Sequence, residues 1–212
     1  MMKKYRKAAA VLSAAMLLCG VPHVFAEAVV EDTGTVAAPA LSYLYQSAAY
    51  GYQIMCPRAP LGVIPASTLF ENREGEILIF DNEEYHIKYA WVVLVRAFPD
   101  DALPDLNAID PEEAADLLRR IMGSNGYEGI MLINLTAGNK AIFAMTAKEI
   151  EIDEDGDGTP DATARTDRQM AVLFFRGANG ARYGLELIDN PNLRADTVSA
   201  FLAGARTMQA LE

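Results

Sequence analysis

The chain has 212 residues, with 29 Asp+Glu against 18 Lys+Arg, a formal net charge of −11 and 51% hydrophobic residues. An acidic surface of this kind is repelled by nucleic-acid phosphates and by anionic lipid, which sets both partner classes aside. Cations, or protein surfaces with basic groups, remain as candidates.

The first segment is "MMKKYRKAAAVLSAAMLLCGVPHVFAEA". Lys3, Lys4, Arg6 and Lys7 precede an apolar run from Ala8 to Gly20, followed by Pro22 and Val24-Phe25-Ala26. A basic head, a short apolar stretch and a small-residue end predict a secretory signal peptide over residues 1–26. The apolar run falls short of the roughly 20 residues that a membrane span needs, so no span is expected. Leu17-Leu18-Cys19-Gly20 resembles a lipobox, but Leu18 stands where a small residue belongs. A soluble exported product, periplasmic or extracellular, is therefore expected ahead of a lipoprotein anchored at Cys19. No Arg-Arg pair occurs in the head, which favours the general export route. Cleavage would take away four basic residues and no acidic ones, leaving a net charge near −15. Of the two cysteines only Cys56 would then remain, excluding an internal disulfide. A chain of about 186 residues can stabilise itself through its core.

Residues 27–41 carry small residues without a period and predict a flexible spacer. From 42 to 212 a single domain is expected. Strands are predicted at Tyr50–Cys56, stopped by Pro57 and Pro60, at Gly75–Asn82, and at Tyr89–Phe98. The last of these is a nearly continuous apolar run, as in a strand covered on both faces. A helix follows, with Asp110 as N-cap, Pro111 at the first position and Glu113 completing a capping box. Ala114, Leu117, Leu118 and Ile121 share one of its faces. Further strands are predicted at Ile130–Leu135, Ala141–Ala147, Lys148–Ile152, Met170–Arg176 and Arg182–Ile188, the last two joined through Asn179-Gly180. A helix of about 15 residues after Asn190-Pro191 closes the chain, with Val198, Phe201, Leu202, Ala205 and Met208 as its apolar stripe. Strands, helix, antiparallel strands and helix in that order predict an α+β fold, an antiparallel sheet flanked by helices.

Between the strand at Lys148–Ile152 and the one after it lies "DEDGDGTPD", five carboxylates in nine positions. Asp153, Asp155, Asp157 and Asp161 stand at positions 1, 3, 5 and 9 of a calcium-loop pattern, with Gly158 at position 6. Calcium takes six to eight oxygens, and alternate carboxylates on a tightly turned backbone converge on one such ion. The carbonyl of Thr159 at position 7 would add another ligand. Ala164 occupies position 12, where an EF-hand carries a bidentate acid, and the preceding segment alternates like a strand. The pattern is therefore not an EF-hand; it resembles the calcium loops of thrombospondin type 3 repeats. Asp167 is a candidate to supply the missing ligand from outside the loop. The competing expectation is a solvated acidic turn.

Catalytic constellations are scarce. After cleavage His86 is the lone histidine and Cys56 the lone cysteine. A nucleophile needs a base within hydrogen-bond reach, so an envelope hydrolase would have to use Cys56 or His86. A cysteine ending an apolar strand is more simply a buried small residue. Glu83-Glu84, Asp100-Asp101 and Glu112-Glu113 are adjacent acids that suit solvated faces or a helix cap, and no catalytic residue is assigned. Tyr43, Tyr45, Tyr50 and Tyr52 lie within ten residues and offer a patch for a small-ligand carrier.

"YGYQIMCPRAPLG" resembles the G-Y-x-I-x-x-P opening of PsbP-like domains, the family of an extrinsic photosystem II subunit, with Gly51, Tyr52, Ile54 and Pro57 at the matching positions. The tryptophan that often follows that proline is absent. "RYGLELIDN" leading into a terminal helix containing Phe201 is similar too, so the likeness spans about residues 48–209. It implies an α/β/α sandwich around an antiparallel sheet, and a non-catalytic binding or assembly role without catalytic residues. The combined expectation is an exported, non-enzymatic module with one calcium-stabilised loop and a protein partner in the cell envelope.

Overall fold

The computed structural model describes residues 40–83, 86–98, 102–122, 127–147, 149–152, 161–165 and 170–211. Its centre is a seven-stranded sheet of β3 (Gly62–Pro65), β4 (Glu74–Glu83), β5 (His86–Val95), β6 (Tyr127–Asn134), β7 (Lys140–Thr146), β10 (Ala171–Arg176) and β11 (Arg182–Asp189). The spatial order is β3-β4-β5-β11-β10-β7-β6, and every pairing is antiparallel.

The near-continuous apolar runs of β5 and β10 follow from burial on both faces. Leu78, Phe80, Tyr89, Trp91, Val93, Leu173, Phe175 and Leu185 point to one side. Ile77, Ala90, Val92 and Leu94 point to the other, as do Ile142, Ala144, Val172 and Phe174. A helix, α1 (Pro111–Met122), covers the second face, together with the segment carrying Phe98, Leu103 and Leu106 and a 3-10 turn at Ala66–Thr68.

The first face differs from the expected helix-flanked sandwich. Helix α2 (Ala195–Arg206) shares it with a second sheet, β1 (Tyr43–Ser47), β2 (Tyr52–Cys56) and β12 (Gln209–Ala210), in the order β1-β2-β12. Geometry gives the reason. Twelve helical residues span about 18 Å, whereas seven strands at about 4.8 Å spacing spread over roughly 29 Å. One short helix leaves part of the apolar face bare, and the small sheet covers the rest. The class is α+β, and strands dominate it.

Local chemistry sets the helix ends. Asp110 Oδ1 accepts from the Glu113 amide at 2.8 Å, and Glu113 Oε2 accepts from the Asp110 amide at 3.3 Å. This is the capping box expected for α1. Helix α2 begins at Ala195, later and shorter than the expected start after Pro191, which follows a cis peptide bond. Its N-cap is Arg194, whose amide donates to Asp189 Oδ2 at 2.9 Å, and the same oxygen accepts from Thr197 Oγ1 at 2.5 Å. The acid is donated by the end of β11, so the helix starts where that carboxylate can reach.

The opening motif is built into the junction of the two sheets. Gly51 takes a φ of 63°, the left-handed region that glycine enters without strain. Its carbonyl accepts from Tyr183 Oη at 2.9 Å. Tyr52, Ile54 and Cys56 then alternate into the core. Arg58 donates to the Phe80 carbonyl and ties the exit of β2 to β4. The expected signal peptide, residues 1–26, and residues 27–39 of the expected spacer lie outside the described residues. Among the described residues no helix is long and apolar enough to cross a membrane.

Candidate functional site

The acidic connection is held by a two-stranded ladder. Strand β8 (Glu149–Ile152) pairs antiparallel with β9 (Ala162–Arg165), from Glu149 opposite Arg165 to Ile152 opposite Ala162. The last pair brings the two ends of the connection to within about 5 Å at Cα. Strands on both sides agree with the alternation of "EIEI" and differ from the helices of an EF-hand. Asp161 stands exposed at the foot of β9. Asp153, Asp155, Asp157 and Thr159 lie outside the described residues, as does Asp167.

Cys56 is a core residue. It ends β2 with no exposed surface, and burial pushes its thiol up to about 12. At neutral pH such a group is a thiol, without the thiolate that nucleophilic chemistry uses. His86 opens β5 opposite Glu83 at the end of the β4–β5 hairpin.

The tyrosine cluster divides. Tyr43 is exposed, Tyr45 and Tyr50 are partly buried, and Tyr52 is fully buried. Tyr52 Oη donates to Glu76 Oε1 at 2.5 Å, and Tyr45 lies near enough for the same carboxylate to act on its phenol. Burial first, then the charge of Glu76, holds both phenols above their ordinary range. The Tyr52 ring meets Tyr183 edge-on at 6.1 Å. Period-2 alternation along β2 turns Tyr52 inward, so it belongs to the core and the surface patch contracts to Tyr43 and its neighbour Leu44.

Three buried acids escaped sequence reasoning: Glu76, the partner of Tyr52, and two on β11, Asp189 and Glu186. Asp189 holds Arg194, the N-cap residue of α2, through its amide and, at 3.0 Å, through its guanidinium. Glu186 lies at the middle of β11, 7% exposed, on the face beneath α1 and the 3-10 turn. Its Oε2 has no hydrogen-bond partner among the described residues. Burial pushes the carboxyl up to about 7, against the pull of the Arg73 charge. "YGLELID" reads as ordinary alternation, and only the cover over that face shows the position to be buried.

The large exposed apolar side chains among the described residues are Tyr43, Leu44, Leu61, Val63 and Met131. Tyr43 and Leu44 belong to β1, an edge of the small sheet, and Val63 to β3, an edge of the large one, with Leu61 just before it. Met131 lies on β6, the opposite edge. A shallow pocket of about 260 Å³ lies beside β12, with Phe175, Met208 and the amide side chains of Asn139 and Gln209 in its lining.

No protein-family model and no curated protein matches the chain. It is similar to the solution structure of cyanobacterial PsbP (CyanoP) from Synechocystis sp. PCC 6803, with a TM-score of 0.45 and 11% identity over 85% of this chain and 98% of that one. The α+β class stands on the order of strands and helices itself.

Proposed function

We propose that the protein is an exported, non-enzymatic binding or assembly module of the PsbP-like kind that docks a protein partner in the cell envelope along its strand edges. The carrying observation is where the exposed apolar side chains sit. Leu44 is 48% and Leu61 68% exposed, and each of the five lies on an edge strand or next to one. An edge strand offers unpaired main-chain N–H and C=O groups, and apolar side chains beside them supply the area that a docked strand buries. In this reading residues 153–161 are a calcium-stabilised connection, with Asp153, Asp155, Asp157, Thr159 and Asp161 as ligands. The β8–β9 ladder supports it by closing the loop at its base.

A photoactivatable residue placed at Leu44 or Val63 tests the docking in the intact envelope. A discrete higher-mass adduct is expected at both positions, and none from the exposed Asp105 on the α1 side. Equal adducts from all three, or no adduct at either edge, overturn the proposal. So does turnover of ester, glycoside or peptide substrates that is lost in Cys56→Ala.

A further inference from the structure

Across the middle of the seven-stranded sheet runs a row of five side chains in register: Ala144, Val172, Glu186, Val92 and Ile77. Four are apolar and fully buried, and the central one is a carboxylic acid. Val172 packs in the cluster under α1, whereas Val92 and Ile77 pack in the cluster under the 3-10 turn. Glu186 therefore sits at the seam between the two covering layers.

The groups around it are few. Arg73, on the segment between the 3-10 turn and β4, is near enough for its charge to act on Glu186, and its Nη1 donates to the Ala97 carbonyl at 3.4 Å. Tyr127, opening β6, is held above its ordinary range by burial first and by Glu186 second. Arg182 shares the Glu186 face of β11 and gives its Nη1 to the Phe98 carbonyl at 2.6 Å. From α1 come Ala114, Leu117 and Leu118, while Glu112, Glu113, Asp116 and Arg120 are exposed. From the segment before α1 come Phe98, Leu103 and Leu106, with Asp105 exposed. β5 and β10 present apolar side chains, apart from Arg176 at the end of β10, which stands opposite Arg182 and gives its Nη1 to the Gly180 carbonyl at 3.4 Å.

An ionised carboxylate in such surroundings has lost its water and has no full set of donors in exchange. We propose that Glu186 makes the seating of α1 on the sheet proton-dependent: the layer closes over the neutral acid, and ionisation admits water along the seam and loosens α1. The direction follows from linkage. An acid whose folded pKa lies near 7, above its unfolded value near 4.5, stabilises the closed state fully below the unfolded value. That stabilisation fades as pH rises and is gone above about 7.

Amide hydrogen exchange on the full chain tests this, with intrinsic rates corrected for pH. Between pH 5.5 and 8.0 the protection of α1 amides should fall on the order of tenfold in the wild type, and stay level in Glu186→Gln. Independently of any variant, the Glu186 side-chain carboxyl 13C signal of the wild type, assigned through its own backbone, should titrate near neutrality. Protection of α1 that is equal at both pH values overturns the proposal. An identical fall in Glu186→Gln, or a carboxyl midpoint near 4.5, does the same.

Discussion

Tyr52 on β2 donates its hydroxyl to Glu76 on β4 at 2.5 Å, and both side chains are buried. This bond pins the small sheet to the large one through a carboxylate that Tyr45 also reaches. Tyr52→Phe keeps the ring and removes one donor to a buried charge. The expected loss is about 1–3 kcal/mol, the usual consequence of leaving such an acceptor underpaired. Thermal melts should show a drop of several degrees for Tyr52→Phe and none for Tyr43→Phe at the exposed edge. Equal midpoints for wild type and Tyr52→Phe would show that the bond does not hold the sheets together.

Gly204 inverts an ordinary helix rule. Replacing an interior helix glycine by alanine normally stabilises by up to about 1 kcal/mol. Here an added Cβ would lie 2.4 Å from a ring carbon of Trp91 and 2.7 Å from the Met55 carbonyl. Trp91 is itself fully buried against Phe80 and Phe201. Overpacking of this sort destabilises by about 1–3 kcal/mol. Denaturant unfolding of Gly204→Ala should therefore show a lower midpoint, and a higher one would mean that α2 does not lie so close on Trp91.

Cys56 should resist thiol reagents. At pH 8 a thiol pushed up to about 12 and without exposed surface has neither the thiolate nor the access that alkylation needs. The native chain is expected to remain unlabelled on a timescale at which the denatured chain reacts completely. Rapid labelling of the native chain would return Cys56 to the list of candidate nucleophiles.

How much of this was legible in the sequence depends on how local each cause is. Asp110 and Glu113 declare the α1 cap because both partners lie within one turn, and the runs of β5 and β10 declare their double burial by composition. Gln209–Ala210 is a strand through its partner Gln53, 156 residues away, and no local pattern announces it. The start of α2 was misplaced because Asp189, which holds the N-cap residue Arg194, reaches across a proline from another element. Glu186 was invisible for a similar reason. An acid in an alternating strand looks solvated until the layer that covers it is known. The aspartates of residues 153–157 show the opposite case, a pattern plain in sequence whose ligand geometry lies outside the described residues.

The β8–β9 connection should respond to calcium. Extracellular modules bind calcium at ~0.1–1 mM. With a dissociation constant of ~0.1 mM, 1 mM calcium would stabilise the chain by about 1.4 kcal/mol. For a domain of this size that raises the melting midpoint by about 4 °C relative to EDTA. Asp155→Ala should abolish the rise and leave the EDTA midpoint nearly unchanged. A flat calcium series in the wild type would make the connection a solvated acidic turn.

Docking of a protein partner on the strand edges sets the size of the native complex, which can be measured. In a mild-detergent extract of the envelope, the wild-type chain should elute in a complex larger than the free chain. A variant carrying Leu44→Lys and Val63→Lys places a charge on each edge, a substitution that blocks strand pairing and barely touches the fold. It should elute as the free chain with an unchanged melting midpoint. Co-elution of the variant with the wild-type complex, or a wild type that elutes free, would show that the strand edges do not dock a partner.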